Sequence, residues 1–300
     1  MARRTLTYLK NSNKDFENVL DSFLPYKKET IFRWNYTDCG QPIVAHAQDS
    51  DTAATTEYST AMAWPDQYGH LQYTSLMIVG ATTAAVELPT IETYAATDAA
   101  DTAAGLNMQR DQDTAADLGW ELNFGSPMGG PAHAFTAGKD SGWVDMTFFA
   151  ADYTSYDAVS VGFRIAEAYN DGHAPIVAAG TGDPVYTDFF TFGLQESDMF
   201  QFASDLNNGG SGTYTDTTDT PTDSQNVRIR VTLNSDGTAA GTMVQNQIAN
   251  AGTLAAPSAV PGTTYTFDDG DVLIPYIFVH GKDHADTALL IKHIECFRAG

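Results

Sequence analysis

The chain has 300 residues, 43% of them hydrophobic and 11% aromatic, which is enough for one large all-β domain or two ordinary domains. Its 38 acidic and 15 basic residues give a formal net charge of −23, so we expect the body of the protein to repel nucleic acid. No run of eighteen apolar residues is present and the N-terminus lacks an apolar signal segment, so we expect neither a membrane partner nor a signal peptide.

The N-terminal segment, residues 1–35, differs in charge and pattern from the rest. Residues 1–33 hold seven bases and four acids, whereas the remainder holds eight bases and 34 acids. Ser12 is a candidate N-cap, Pro25 ends the pattern, and apolar residues recur at helical spacing between them at Phe16, Val19, Leu20, Phe23 and Leu24. The pattern predicts an amphipathic helix on an arm that docks on the body of the protein or on another chain. The alternative is a simple helical N-terminus with balanced charges.

Residues 36–100 form a Thr/Ala-rich region that we interpret as an extended connection with a few strands, the best of them at 70–81. From residue 101 to 300, strand patterns with period-two alternation follow one another at short intervals. The residues predicted to face the core in three of these strands are Leu118, Trp120, Leu122 and Phe124, then Val144, Met146 and Phe148, then Val159, Val161, Phe163 and Ile165. Gly/Asp/Asn turns without intervening helices predict an all-β antiparallel sandwich, and Asn234–Gly237 is typical of a hairpin turn.

The stretch "TYTFDDGDVLIPYIFVHGKDH" (264–284) admits two interpretations. We expect no cofactor, but Asp268, Asp269 and Asp271 around Gly270 are weak candidate ligands for a surface calcium ion, although "DDG" is also ordinary turn chemistry. The run "VLIPYIFV" predicts a strand covered on both faces, in which Pro275 marks an edge or a bulge. We favour a turn that enters a core strand.

Two further groups resemble catalytic or metal motifs. Glu196, Asp198 and Gln201 in "ESDMFQ" match a glucanase-type strand, but glutamine stands where an acid/base carboxylate is required, so we expect no enzyme activity. His280, Asp283 and His284 in "HGKDH" have the spacing of zinc ligands on a helix, yet Gly281 and the preceding strand pattern favour a turn.

Three aromatic residues, Trp64, Tyr68 and Tyr73, lie near Asp66 and His70 and are candidates for stacking on sugar. The alternative is that these rings belong to the core, as most aromatics of β proteins do. Cys39 and Cys296 lie near opposite ends of the chain, and we expect both to be free thiols.

Four phrases in this order resemble a family of phage-encoded proteins: "LGWELNFG", "FTAGKDSGWVDMTFFAADYTSYDAVSVGFRIAEAY", "TDTTDTPTDSQNVRIRVTLNSDGTAAGTM" and "YTFDDGDVLIPYIFVHGKDHADTALLIKHIECF". The family is common in viral genomes from sea and fresh water. Its members resemble concanavalin A-like lectin/glucanase jelly rolls, and most are described as virion structural proteins. The resemblance covers about residues 100–300.

The resemblance implies a place in the virion after synthesis in the host cytoplasm. We predict a capsid decoration protein, a homo-oligomer taken to be a trimer, that docks on the major capsid protein or another virion protein. Its docking residues would be Arg3, Arg4, Phe16, Leu20 and Phe23. The first alternative is a virion adhesin that binds host surface glycans, and the second is a glycan hydrolase.

Overall fold

A computed structural model describes the chain in segments. These are residues 29–44, 58–79, 90–95, 102–107, 118–124, 133–150, 153, 156–167, 186–195, 199–206, 212–247, 253–257, 264–281 and 289–299. Most of these residues lie in strands of two antiparallel sheets. Within these segments no helix has the length and apolar character needed to cross a membrane.

The larger sheet has ten strands in the order β13-β12-β11-β10-β17-β7-β4-β3-β2, with β8 paired to β17 beside this path. Its strands are β2 (Ile43–Val44), β3 (Tyr58–Pro65), β4 (Leu71–Val79), β7 (Leu118–Asn123), β8 (Phe135–Thr136), β10 (Tyr156–Ile165), β11 (Phe189–Gln195), β12 (Phe200–Asp205), β13 (Thr213–Asp216) and β17 (Val272–Gly281).

The smaller sheet has eight strands in the order β16-β15-β14-β9-β18-β6-β5, with β1 paired to β18. Its strands are β1 (Glu29–Asn35), β5 (Thr90–Ala95), β6 (Thr102–Asn107), β9 (Ser141–Ala150), β14 (Gln225–Leu233), β15 (Thr238–Gln247), β16 (Thr264–Thr266) and β18 (Leu289–Ala299).

The core fills the space between the two sheets, and the predicted alternation supplies it. One cluster of buried side chains includes Trp120 and Leu122 of β7, Val144 and Met146 of β9, and Phe163 of β10. Because successive strand residues point to opposite faces, these alternating positions all meet between the sheets. The predicted all-β antiparallel sandwich is therefore confirmed, as is the hairpin of β14 and β15 with its turn at Asn234–Gly237.

The first strands belong to the same two sheets as the later ones. β1 pairs with β18 along almost its whole length, and β4 pairs with β7. Phe32 and Trp34 of β1 are buried in the common core. The sequence analysis placed residues 29–35 in an arm and residues 36–100 in an extended connection with a few strands, whereas the strands of both segments belong to the two sheets of the sandwich. The physical reason is that their hydrogen-bond partners lie far away in the chain.

β17 is a central strand with side chains buried on both faces, as its apolar run predicts. The interpretation of Pro275 as an edge residue is wrong, since β10 lies on one side of it and β7 and β8 on the other. The Pro275 carbonyl accepts a hydrogen bond from Phe124 N at 3.2 Å. In an antiparallel sheet the N–H and C=O of one residue point to the same neighbouring strand. The missing N–H of Pro275 therefore points to the gap between β8, which pairs with β17 up to Leu273, and β7, which pairs with it from Tyr276, so no ladder bond is lost.

A buried ion pair lies on the face of the ten-stranded sheet that points away from the core. Arg164 Nε of β10 donates to Glu121 Oε1 of β7 at 2.9 Å, and both side chains are almost completely inaccessible. The Tyr186 hydroxyl donates to Glu121 Oε2 at 3.0 Å, and the Tyr186 ring lies under the guanidinium at 4.2 Å. Burial lowers the pKa of Arg164, but the charge of Glu121 raises it above its usual value, so the side chain stays ionised.

Candidate functional site

An open pocket of about 250 Å³ lies where the turn after β1 meets the β3–β4 hairpin. The two walls come from different sheets, since β1 belongs to the smaller sheet and the hairpin to the larger. Most of the lining is polar: Arg33, Asn35, Asp38, Cys39, Asp66, Gln67, Tyr68 and Gln72. A small number of convergent polar groups beside an aromatic ring is typical of a ligand site.

Asp66 organises the hairpin wall of the pocket. Its Oδ1 accepts hydrogen bonds from the backbone amides of Tyr68 and His70, each at 2.8 Å, and its Oδ2 lies 3.2 Å from His70 Nδ1. Gly69 completes the turn with a φ of 82°, a backbone conformation that residues other than glycine rarely adopt. Desolvation is the largest single effect on the Asp66 carboxyl and raises its pKa, but the hydrogen bonds from His70 and Tyr68 together outweigh it and lower the pKa, so the group is an ionised acceptor at neutral pH.

Asn35 organises the opposite wall in the same manner. Its Oδ1 accepts a hydrogen bond from Thr37 N at 2.7 Å, while its Nδ2 donates to Asp38 Oδ2 at 2.7 Å. Such side-chain bonds to the following backbone are the reason that asparagine favours turns. The turn is closed by Cys39 N, which donates to Asn35 O at 3.0 Å. Asp38 and Cys39 are therefore held at the pocket by local structure.

Gln72 joins the two walls. Its side-chain Nε2 donates to Arg33 O at 2.9 Å, and its Oε1 accepts from Arg33 N at 3.0 Å. The side-chain amide of Gln72 thus pairs with the backbone N–H and C=O of Arg33, as a residue of a neighbouring strand would. These two bonds connect the sheets at the pocket and satisfy backbone groups of an edge strand.

Packed aromatic rings of the core neighbour the pocket residues in sequence, since Phe32 and Trp34 flank Arg33 and Trp64 precedes Asp66 by two residues. Trp34 and Trp64 meet edge to face at 5.4 Å, and Phe32 meets Trp64 at 5.3 Å and Phe124 at 5.0 Å. The indole nitrogens are both satisfied, since Trp34 Nε1 donates to Gly40 O at 3.1 Å and Trp64 Nε1 to Thr74 Oγ1 at 2.8 Å. This packing holds β1 against β3 before any ligand arrives.

The three predicted sugar-binding aromatics are not brought together. Trp64 is completely buried in the core, so it offers no ring face to a ligand. Tyr68 is 75% exposed at the hairpin turn and lines the pocket. Tyr73 is also exposed, but it neighbours the pocket residue Gln72 in β4 and therefore points to the opposite face of the sheet.

The sequence analysis missed five pocket residues, namely Arg33, Asn35, Asp38, Gln67 and Gln72, and it considered Cys39 only as a free thiol. Arg33 and Gln72 are 39 residues apart in the chain, and no motif links them. The one local signal was Asn35 followed by Thr37 and Asp38, which is typical of an Asx turn.

The acidic stretch at Asp268, Asp269 and Asp271 forms the turn that we favoured. Asp271 N donates to Asp268 O at 3.1 Å, Asp268 N donates to Asp271 Oδ2 at 3.1 Å, and Gly270 has a φ of 98°. Burial, with the charge of Asp268 as a second cause, raises the pKa of Asp271. Among the described residues no group of three His, Cys, Asp or Glu side chains is arranged to hold a metal ion.

The remaining candidates are scattered or lie outside the described residues. Gln201 is completely buried in β12, where its Nε2 donates to Asp216 Oδ1 at 2.8 Å. His280 lies near the end of β17, and both cysteines are free thiols. The candidates that fall outside the described residues are Arg3, Arg4, Phe16, Leu20, Phe23, Glu196, Asp198, Asp283 and His284.

No protein-family model and no curated protein matches the chain. Among solved structures, it is similar to the lumenal domain of VIP36 in a form with Ca²⁺ and Man3GlcNAc bound (11% identity, 70% of this chain and 84% of that one, TM-score 0.39). It is also similar to a Bauhinia forficata lectin in complex with GalNAc (12% identity, 71% and 93%, TM-score 0.40). A third is the CBM2 module of the evolved Dit protein of Lactobacillus casei BL23 phage J-1 (8% identity, 60% and 68%, TM-score 0.31). These likenesses concern the arrangement of strands only.

Proposed function

We propose that this protein is a carbohydrate-binding β-sandwich protein of a bacteriophage virion, and that it binds glycan in the pocket between β1 and the β3–β4 hairpin. The observation that carries the proposal is the exposed ring of Tyr68 beside fixed polar groups in an open pocket. The order of strand phrases that resembles phage virion proteins supports the virion context.

The chemistry of the pocket suits sugar hydroxyl groups. The carboxylates of Asp38 and Asp66 are acceptors, whereas the guanidinium of Arg33 supplies donors, so the pocket can satisfy hydroxyls in either role. The Tyr68 ring offers an apolar face to the C–H groups of a sugar ring, and its hydroxyl remains a polar contact. Both Asp38 and Asp66 are already oriented by hydrogen bonds, so little ordering is left to oppose binding.

We propose binding without hydrolysis. A retaining glycosidase needs two carboxyl groups about 5–5.5 Å apart, one of them able to donate a proton. At the corresponding position of the sequence motif, Gln201 is buried and its amide is hydrogen-bonded to Asp216. The side-chain amide of glutamine is too weak an acid to donate a proton at neutral pH, so Gln201 cannot act as the acid/base group.

Replacing Tyr68 by alanine or Asp66 by asparagine is expected to weaken glycan binding about tenfold or more, which corresponds to about 1.4 kcal/mol. An array of bacterial envelope saccharides first identifies the ligand, and calorimetry with that saccharide then gives the affinities.

Asp236→Asn is the matched control for these variants. Asp236 occupies the β14–β15 hairpin turn, and like Asp66 it accepts a hydrogen bond from a backbone amide two residues on, here Thr238 N at 3.0 Å. Its replacement should leave the affinity unchanged. Equal binding by the wild type and both pocket variants would place the glycan elsewhere, and no binding to any saccharide would refute the proposed function.

A second candidate function is decoration of the capsid through residues 1–28, favoured by the excess of basic residues there in an otherwise acidic chain. Exposed ion pairs contribute about 0–1 kcal/mol, whereas burial of one large apolar side chain contributes about 1.5–3 kcal/mol. We therefore expect attachment to purified virions to survive 1 M NaCl and to be lost in Phe16→Asp, as measured by co-sedimentation. Release of the wild type by salt, with Phe16→Asp still attached at low salt, would contradict an apolar attachment.

A further inference from the structure

Asp145 of β9 holds two arginine side chains on the outer face of the eight-stranded sheet. It points away from the core, because its neighbours Val144 and Met146 are buried in the core and successive strand residues alternate. The side chain of Asp145 is inaccessible to solvent. Arg228 Nε donates to its two carboxylate oxygens at 2.9 and 3.0 Å, and Arg230 Nε donates to Oδ2 at 2.7 Å. The two guanidinium groups therefore lie side by side.

Each of these guanidinium groups keeps most of its donors for another partner. Asp145 engages only the Nε atom of each arginine, and within the described part of the chain no hydrogen bond involves their terminal nitrogens. Both side chains still reach solvent, with 18% of Arg228 and 21% of Arg230 accessible. Since a guanidinium has two terminal NH₂ groups besides Nε, the pair presents a set of unused N–H donors at the surface.

A stack of rings fixes the position of Arg230. The rings of Trp143 in β9 and Phe297 in β18 are stacked at 4.0 Å, and Arg230 Cζ lies 4.6 Å from the centroid of the Trp143 ring. Stacking occupies the face of a guanidinium and leaves its N–H groups, which lie in the plane, free to donate. Arg230 is therefore ordered before a ligand arrives, so binding costs less side-chain entropy.

Two further polar atoms on this face are buried without a partner among the described residues, namely Trp143 Nε1 and Thr147 Oγ1. Both residues lie on the same side of β9 as Asp145, each about 6.8 Å from it along the strand. Thr147 pairs with Arg228 in the strand register. Buried polar groups are normally hydrogen-bonded, and all the unused groups on this face are able to donate. The group that would complete this face is an acceptor.

The charge of the cluster matches a ligand with a single negative charge. Two arginines against Asp145 leave one positive charge. The next acid in the same row, Glu295 of β18, faces Arg33 of β1 in the register, so these two charges offset each other. A carboxylate neutralises the remaining charge and fits the arginine fork with two parallel hydrogen bonds. A doubly charged phosphate would leave an excess negative charge, which a chain of net charge −23 disfavours.

We propose that Arg228, Arg230, Trp143 and Thr147 form a binding site for the carboxylate group of a small acidic ligand on the outer face of the eight-stranded sheet. The two arginines and the two unpartnered donors bind the carboxylate oxygens. Asp145 is a positioning residue that holds both arginines by Nε and leaves their terminal nitrogens to the ligand. The site is separate from the pocket at the β3–β4 hairpin and does not depend on the proposed function.

Titration with sodium glucuronate, a sugar acid of single charge, tests this site, with glucose as the neutral control. Millimolar affinity is expected for a ligand held mainly by one charged group, so calorimetry extends to about 20 mM at constant ionic strength. Fluorescence locates the ligand, because Trp143 is half-buried whereas Trp34, Trp64 and Trp120 are buried. We expect glucuronate to bind and to change the Trp143 emission, and glucose to do neither.

Arg228→Gln and Arg230→Gln should each weaken glucuronate binding at least tenfold, and each leaves Asp145 one arginine partner, so both should fold. Lys139→Gln is the matched control, because it removes one positive charge at an exposed position in the turn between β8 and β9. It should bind as the wild type does.

No binding by the wild type, or equal binding by both arginine variants, would overturn the proposal. Tighter binding of inorganic phosphate than of glucuronate would overturn the choice of a carboxylate. Loss of glucuronate binding in Tyr68→Ala, with both arginine variants unaffected, would place this ligand in the hairpin pocket instead. The proposed function is tested with other saccharides and other variants, so it stands or fails independently.

Discussion

Replacing Glu121 by glutamine is expected to lower the free energy of unfolding by about 3–5 kcal/mol, the usual cost of removing one partner of a buried ion pair. Arg164 would keep its charge in a site where neither side chain of the pair reaches solvent. Its remaining partners are Asn123 Oδ1 at 3.3 Å, the backbone carbonyls of Ile165 and Glu167 and the ring of Tyr186, and none of them carries a compensating charge. Urea denaturation followed by tryptophan fluorescence measures the loss.

The double variant Glu121→Gln/Arg164→Met provides the control for this prediction. It removes both charges, so no buried ion is left without a partner, and replacement of a buried pair by neutral groups is often close to neutral. We expect it to recover more than half of the loss. A single variant that loses less than about 1 kcal/mol would show that water reaches Arg164.

Replacing Trp34 by alanine is expected to cost about 3–5 kcal/mol, the range found when a large aromatic side chain is removed from a core. Trp34 is completely buried, and it packs against Trp64 of the other sheet. The change would leave a cavity between β1 and β3. Thermal and urea unfolding report its effect on the whole sandwich.

Two deletions make this test specific to β1. Deletion of residues 1–28 keeps every described strand, whereas deletion of residues 1–35 also removes β1. We expect the second protein to be much less stable than the first. If the two deletions are equally stable and Trp34→Ala has a small effect, then β1 is not part of the stable sandwich. Residues 29–35 would then belong to the N-terminal arm, as the sequence pattern predicted.

The strands that could be predicted from the sequence are those with a strong local alternation. In β9 and β10 the apolar residues of the period-two pattern lie in the core, except Ile165 at the end of β10, which is half-buried, because burial of one sheet face imposes that period directly. The central position of β17 also followed from its apolar run, since a strand covered on both faces needs apolar residues at successive positions.

The early strands could not be assigned from local pattern. β3 reads "YSTAMAWP", in which Met62 and Trp64 are buried in the core but alternate with the small residues Ala61 and Ala63, so the apolar pattern is weak. β1 depends on β18, which lies at the opposite end of the chain. Such pairings are selected by long-range packing, so a single sequence carries little sign of them.

The pocket was predictable only in part, for the same reason. Tyr68 and Asp66 stood out because they are close in sequence, and Asp66 has turn chemistry. The residues of the opposite wall could not be predicted, because the sequence does not show that β1 lies beside β4. The two hydrogen bonds between Gln72 and Arg33 show this proximity in the structure. For Trp64 the sequence analysis left both sugar stacking and the core open, because an indole beside polar turn residues gives no sign of which sheet face it occupies; the structure places it in the core.

Glycan protection of Cys39 against a thiol reagent tests the central claim most directly. Cys39 lines the pocket, whereas Cys296 is completely buried and its burial raises the pKa of its thiol, so the reagent distinguishes the two cysteines in the folded protein. With the saccharide selected on the array, we predict that the labelling rate of Cys39 falls in proportion to occupancy and that Tyr68→Ala abolishes this protection at the same saccharide concentration. A saccharide that binds the protein while Cys39 is labelled at an unchanged rate would contradict the account.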